Sequence, residues 1–595
     1  MCLRRIISTL ILGLLLLSSV YAQSQAKQED AATTPEQREA QKELEQKAFA
    51  LLEEIIAEAP ALKLAENRIT IQASAADLLW MHDEKRARAV FTAATTSLIE
   101  VLGMLDQSDP QYESLAQKIS QLRMSLLETI ARHDPQLALD LLRVTRQPSP
   151  LRRHSSYLPS DIEVQLEGRL SSLIAAKDPQ RALQIARESL TKGLSYELIN
   201  TLAQLRAKDK EAAATLSQEI IAKLKAENRM TPEVSGIAFN LLYMFRPPEG
   251  DEAHFRELLE LLVGSALNAS LSNKVNPEEQ YLARNLLAQL QPMMPEIEKY
   301  APSRLAALRR KFAELNREAD PYTRSLNEMN KLAQNGTIDE ILEAAAKMPP
   351  ESRGQGYQQG IRKAANQGEY DRARQLANSE ALEPVERKEM LEEIDRQAVW
   401  QATNQGKLNE ARQMLTKLGS AEERVSTLIQ LAGMAFDKKD TKTARQCLAE
   451  AFETIGGRAA NYQRIQAQLQ VSQAYMLLDL DRSFEIITPI IDQLNDLMAA
   501  AAMLDGFESN YLKDGEWMPS GGSALSNMVV TCDQHIAALA RTDFDRAKSL
   551  ADRWQRSEVR LKARLLIAQA VLSDAFQVGK MSLKTRRLNG GSQLN

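Results

Sequence analysis

Among the residues able to do chemistry, the nearest approach to a ligand pair is Cys532 with His535, three positions apart and able to share one helix face. Two donors without further ligands make ordinary packing the simpler reading. The other histidines, His82, His133, His154 and His254, are scattered with no ligand spacing between them. The chain contains no His-Glu-x-x-His, Cys-x-x-Cys, Gly-x-Ser-x-Gly or phosphate-loop pattern. Adjacent acids at Glu53-Glu54, Glu392-Glu393 and Glu422-Glu423 have the residue type of a glycosidase acid and base. Helical neighbours point about 100° apart, so such pairs do not face one another and read as solvated faces. No catalytic residue, cofactor site or metal site is expected.

Two segments carry side chains suited to binding. Residues 505–527 form the longest irregular insertion, with Phe507, Tyr511 and Trp517 amid Gly506, Gly515, Gly521 and Gly522. Long loops in regular arrays are where binding residues are commonly placed. The alternative is a tolerated surface insertion whose Trp517 tucks against the neighbouring helix. Residues 147–161, with Pro148, Pro150, Arg152, Arg153, His154, Tyr157 and Pro159, form a basic loop that either holds an anionic group through Arg152 and Arg153 or is a solvated linker. Phe507, Tyr511, Trp517, Arg152 and Arg153 are the candidate partner-binding residues.

The elements that position these residues are helices. The 595 residues include only 24 glycines and 21 prolines, about one residue in thirteen, where ordinary usage is roughly 12%. That scarcity disfavours all-β, collagen-like and low-complexity chains. Seven of the prolines follow a capping residue: Thr34-Pro35, Asp109-Pro110, Asp134-Pro135, Asp178-Pro179, Thr231-Pro232, Asn276-Pro277 and Asp320-Pro321. A capping side chain followed by proline marks the start of a helix. Apolar spacing between these marks is helical, as in Leu428, Leu431, Ala432 and Ala435, and no run alternates convincingly as a strand does.

A polar turn residue followed four or five positions later by a small residue recurs along the chain. The clearest cases are Asp83 to Ala87, Asp134 to Ala138, Asp178 to Ala182, Asp209 to Ala213, Gly368 to Ala373, Gly406 to Ala411, Asp440 to Ala444 and Asp543 to Ala547. Gly336 to Ile341 and Asp479 to Ser483 are degenerate members. Most separations lie in the thirties, the period of stacked helix-turn-helix units, and the small residue lets one helix approach the next. The fragments beginning Asn366-Gln367-Gly368 and Asn404-Gln405-Gly406 share the same opening and close alike on Ala373-Arg374-Gln375 and Ala411-Arg412-Gln413. With these residues the chain resembles the tetratricopeptide-like α-solenoids, most clearly over 326–480 and more loosely over 62–225 and 530–572. The resemblance implies an all-α array; the full family pattern of Trp, Leu-Gly, Tyr, Ala and Pro is missing, so no ligand residue carries over. The segment Ala75-Ala76-Asp77-Leu78-Leu79-Trp80, followed by Asp83 and Arg86-Ala87-Arg88, is also similar to the opening of uncharacterised exported bacterial helical proteins.

Residues 1–22 read as a secretory leader: Arg4 and Arg5 precede the apolar run Ile6 to Leu17, and Val20-Tyr21-Ala22 offers a cleavage site before Gln23. The run is shorter than the roughly 20 residues that span a bilayer, and Cys2 precedes it, which argues against a lipoprotein. Cleavage takes the net charge from −5 to −7, an acidic balance that does not suit nucleic-acid binding. Cys447 and Cys532 then remain, and two buried thiols are the preferred reading over a disulfide. The expected organisation is a tether at 23–33, an N-terminal helical array at 34–320, C-terminal repeats at 321–575 and a disordered tail at 576–595. The expected function is non-catalytic: an exported, periplasmic or secreted protein, not membrane-embedded after cleavage, that holds a protein or peptide partner. The alternative is a protein that binds or degrades a cell-envelope polymer through a site assembled across the solenoid. Soluble lytic transglycosylases are the enzymatic comparison, but Glu113-Ser114 and Glu188-Ser189 lie in plain helical pattern rather than in a lysozyme-like domain.

Overall fold

The structure, a computed structural model, describes residues 35–573 except 107, 109–111, 147–161, 228–229, 249, 272–276, 319–328, 330, 334, 349, 380–381, 508–509 and 519–522. The expected tether, tail and division near residue 320, and the loop bearing Arg152 and Arg153, lie outside the described residues. The first fourteen helices are α1 (Pro35–Glu58), α2 (Ala65–Leu79), α3 (Glu84–Gly103), α4 (Tyr112–His133), α5 (Pro135–Val144), α6 (Ile162–Ile174), α7 (Pro179–Lys192), α8 (Tyr196–Lys208), α9 (Lys210–Ala226), α10 (Pro232–Met244), α11 (Glu252–Asn268), α12 (Pro277–Leu290), α13 (Met294–Tyr300) and α14 (Pro302–Glu318). After residues 319–328 come α15 (Ile338–Ala346), α16 (Pro350–Asn366), α17 (Tyr370–Ala377), α18 (Pro384–Asn404), α19 (Leu408–Met414), α20 (Ala421–Asp437), α21 (Thr441–Ile455), α22 (Tyr462–Tyr475) and α23 (Leu480–Met503). A two-stranded hairpin, β1 (Leu512–Lys513) and β2 (Glu516–Trp517), precedes α24 (Ala524–Leu539), α25 (Phe544–Ala551) and α26 (Ser557–Leu572).

The local rules read from the sequence operate as expected where the capping residue is described; Thr34, Asp109, Asn276 and Asp320 lie outside the described residues. Asp83, Asp134, Asp178, Asp209, Thr231, Asp440, Asp479 and Asp543 each accept a hydrogen bond from a first-turn amide of the helix they begin. Gly368 and Gly406 adopt φ of +82° and +70°, where a side chain is strained. Each closes the preceding helix through the same pair of bonds, Glu369 N–H to Ala364 O and Lys407 N–H to Ala402 O providing the longer reach. The small residues one turn on, Ala87, Ala138, Ala182, Ala373, Ala411, Ala444 and Ala547, are fully buried, as are Ile341 and Ser483. Cys447 and Cys532 are buried free thiols on α21 and α24.

Successive units stack so that every second helix forms a layer. In the C-terminal half that layer runs α16, α18, α20, α22, α24, α26, each packing on the next. It does not stop at the end of the chain: α26 packs on α2, and the layer continues through α4, α6, α8 and α10. Helix α1 fills the matching place in the other layer, against both α26 and α2. One repeat unit is thus composite, its first helix supplied by the C-terminal end of the fold and its second by the N-terminal end. Ala48, Leu51, Leu52 and Ile55 of α1 share a single core with Leu561, Leu565 and Ile567 of α26. Their spacing is that of one helix face, and each fully buried Leu or Ile contributes about 1.5–3 kcal/mol.

The two halves of the array are also joined directly by the chain. Eleven first-layer helices at 8–10 Å spacing would extend over about 90 Å if straight. The far ends of the stack, Glu318 on α14 and Met329 packed beside α15, are joined by eleven residue steps, which reach at most about 40 Å. Glu318 and Met329 therefore lie within that reach of one another, while the α26–α1–α2 joint holds the two ends of the fold together.

Candidate functional site

The first region to consider is the 505–527 insertion. It is not irregular throughout: Asp514 and Gly515 take φ of +53° and +80°, and Leu512 pairs with Trp517 and Lys513 with Glu516. Asp-Gly between two strands is a strong hairpin signal, and it was legible in the sequence. The hairpin turns its business end inward. Glu516 accepts from the amides of Lys63 (2.6 Å) and Leu64 (3.1 Å) and from the Asn67 side chain (3.1 Å), at the start of α2. Leu64 offers α2 no side-chain cap of its own, so the carboxylate serves that helix end from some 450 residues away. The Asn67 amide also donates to Trp517 O, and Lys513 pairs with Glu66 at 2.8 Å.

This arrangement corrects one candidate residue. Trp517 is only 2% exposed, stacked on half-buried Tyr511 with ring centroids 5.8 Å apart, because it fills the joint core rather than facing solvent. The Trp517 ring presents no free face to a partner, and Tyr511 is half-buried against it. Phe507, 87% exposed, is the most open member of the trio. The sequence alternative in which Trp517 tucks against neighbouring helix describes its position.

A second region, which sequence reasoning missed, is a groove of about 470 Å³ across α16, α18 and α20. Its floor is Trp400, 52% exposed, with Glu393, Arg396 and Gln397 from the same helix, Asn366 from α16, and Glu423, Ser426, Thr427 and Gln430 from α20. Residues 393, 396, 397 and 400 recur at helical spacing and lie off the buried stripe of Met390, Ile394, Ala398 and Ala402. A tryptophan in phase with the polar face rather than with the apolar stripe is the signal that could have found it. Gln397 donates to Asn366 at 2.5 Å, which ties α18 to α16 along the groove. The two carboxylates are spoken for: Glu393 pairs with Arg362 at 3.2 Å and Glu423 with Arg396 at 3.5 Å.

The remaining acids show the same pattern. Glu53 pairs with Arg86, and Glu54 with Lys548 at 2.9 Å, on diverging directions. Ser189, beside Glu188, is fully buried. Among the described residues no three His, Cys, Asp or Glu side chains are grouped to hold a metal ion, and His535 is turned to the backbone oxygen of Thr531.

Stacked helix pairs, small residues at each helix crossing and a continuous helix layer define an all-α, tetratricopeptide-like solenoid. No family model matches the chain, and no curated protein matches it. Among solved structures it is similar to a circular tandem repeat protein with novel repeat topology and enhanced subunit contact surfaces, at 13% identity over 92% of this chain and 99% of that one, with a TM-score of 0.14. It is similar also to the APC/C hetero-tetramer Cut9-Hcn1 (15% identity, 81% and 90% covered, TM-score 0.18) and to yeast Tom70 (14% identity, 85% and 98% covered, TM-score 0.18).

Proposed function

We propose that this protein is an exported interaction scaffold that holds an extended peptide segment of a partner protein in the groove of α16, α18 and α20. The observation that carries this reading is Trp400, a large aromatic left half open among carboxamides, hydroxyls and charge-balanced ion pairs. Such a floor accepts an apolar side chain, while Asn, Gln, Ser and Thr side chains bond an extended backbone. With Glu393 and Glu423 each neutralised by an arginine, the groove lacks the free carboxylate pair that polymer cleavage needs. Export rests on the leader at residues 1–22; no helix among the described residues is long and apolar enough to cross a membrane.

The test is selection from a displayed peptide library on the purified protein, repeated with W400A. Peptides enriched on the wild type should bind W400A at least about tenfold more weakly, the scale of an aromatic hot spot. Equal enrichment on both proteins would move the site elsewhere. Release of soluble fragments from a purified wall polymer by the protein alone would replace the scaffold reading with an enzymatic one.

A further inference from the structure

Beside the hairpin lies a small cavity of about 20 Å³, lined by Trp517 of β2, Ser526 and Asp533 of α24, and Glu558 and Lys562 of α26, together with valines. Asp533 is fully buried, and no protein group hydrogen-bonds either of its carboxylate oxygens. The indole N–H groups of Trp517 and Trp554 are buried and lack protein acceptors too; Trp554 approaches Asp533 without completing a bond. A carboxylate stripped of hydrogen bonds in an apolar interior is strongly unfavourable, so a proton or a solvating molecule must satisfy it. The volume suits one water, which needs at least about 10–15 Å³ and two to four polar partners. Here the walls provide both donors and acceptors.

We propose that this cavity is a built hydration site in which one water molecule links the Asp533 carboxyl to the Lys562 ammonium, and that proton loss from Asp533 loosens the hairpin and with it the joint between the chain ends. The coupling runs through the roof. The Trp517 backbone amide donates to Glu558 at 2.7 Å, its carbonyl accepts from Asn67, and the adjacent Glu516 holds the Lys63 and Leu64 amides. An ionised Asp533 draws solvent inward, and the roof that must yield is the residue that grips α2.

The charges around Asp533 set the sign. Lys562 and Glu558, both from α26, are the ionisable groups in the cavity wall besides Asp533, and Glu558 is held by Trp517 N–H and lies 3.4 Å from Arg556. Helices α22, α23 and α25, which also pack on α24, place no ionisable side chain in that wall. On α24 itself burial pushes the Cys532 thiol well up and pulls His535 down, so neither supplies a countercharge near neutral pH. Burial likewise pushes the Asp533 carboxyl well above the usual carboxylate range, with Lys562 pulling partly back. Between the unfolded value of about 3.9 and that raised value the folded state binds more protons, so stability falls as pH rises. Lys562, its ammonium pulled down by burial, acts in the opposite sense only above its own lowered value.

Hydrogen exchange at the Lys63, Leu64 and Trp517 amides of the full chain, from pH 5 to 8 and corrected for intrinsic rates, tests this. Wild-type protection should fall by up to tenfold per pH unit, the limit for one proton, while D533N stays flat. K562M should carry the fall to higher pH, because the ammonium no longer favours ionisation. Parallel wild-type and D533N profiles overturn the proposal. Should D533N fail to fold, a flat wild-type profile overturns it equally. High-resolution density at pH 5 should show one peak between Asp533 and Lys562, and a dry cavity there would end the hydration half.

Discussion

Trp517 at the joint and Trp400 in the groove are the same residue type in opposite settings. The first is sealed among α2, α24 and α26 and clamped by Asn67 and Glu558; the second stands open on α18 above carboxamides and paired charges. The difference teaches where stability and recognition are separated in this fold. Polar side chains at the joint reach across about 450 residues to backbone amides that have no nearer partner. Polar side chains in the groove reach only to the adjacent helix, typically about 30 residues away. The joint is thus the place where damage propagates, and the groove the place where substitution is tolerated.

Substitutions can break or sharpen that contrast. W517A should cost about 3–5 kcal/mol in chemical denaturation, since it empties the core between the chain ends. A loss below about 1 kcal/mol would mean that the joint does not hold the ring. Removing the cap with E516A should cost about 2–4 kcal/mol, because two amides are left unpartnered and Asn67 keeps only its bond to Trp517 O. Its urea midpoint would then lie between those of W517A and wild type. At the same joint, D543A removes the cap of α25 and should cost about 1 kcal/mol, read as a shift in midpoint without a change in slope. W400A, at the other extreme, should leave stability within about 0.5 kcal/mol while weakening peptide binding. A protease site engineered into 319–328 offers a sharper test. The nicked protein should elute as one species, held by α26, α1 and α2, and the nicked W517A variant should separate into two.

Much of the fold was legible because its rules are local. Asp440 followed by Ala444 predicts both a cap at Thr443 N–H and a small residue at the helix crossing, and both are found. Lys439 shows where the pattern hides: it holds the positive φ of +64° that Gly368 and Gly406 hold in sister units, and Asp440 N–H reaches Ala435 O as the glycine turns do. The site was less legible. The spacing around Trp400 was available but reads as part of a helix until its neighbours on α16 and α20 are known. Asp514-Gly515 signalled a hairpin, yet nothing near it said that the hairpin would grip α2.

The sequence by itself determined helix starts, turns, the period and the buried small residues, since each depends on contacts within one unit. Only the tertiary structure decided that α26 and α1 form one unit, that Glu516 caps a helix near the other end of the chain, and that Trp517 is sealed while Trp400 is open. Those outcomes depend on how many successive helix crossings place the two ends of the fold, and no short stretch of residues encodes that sum.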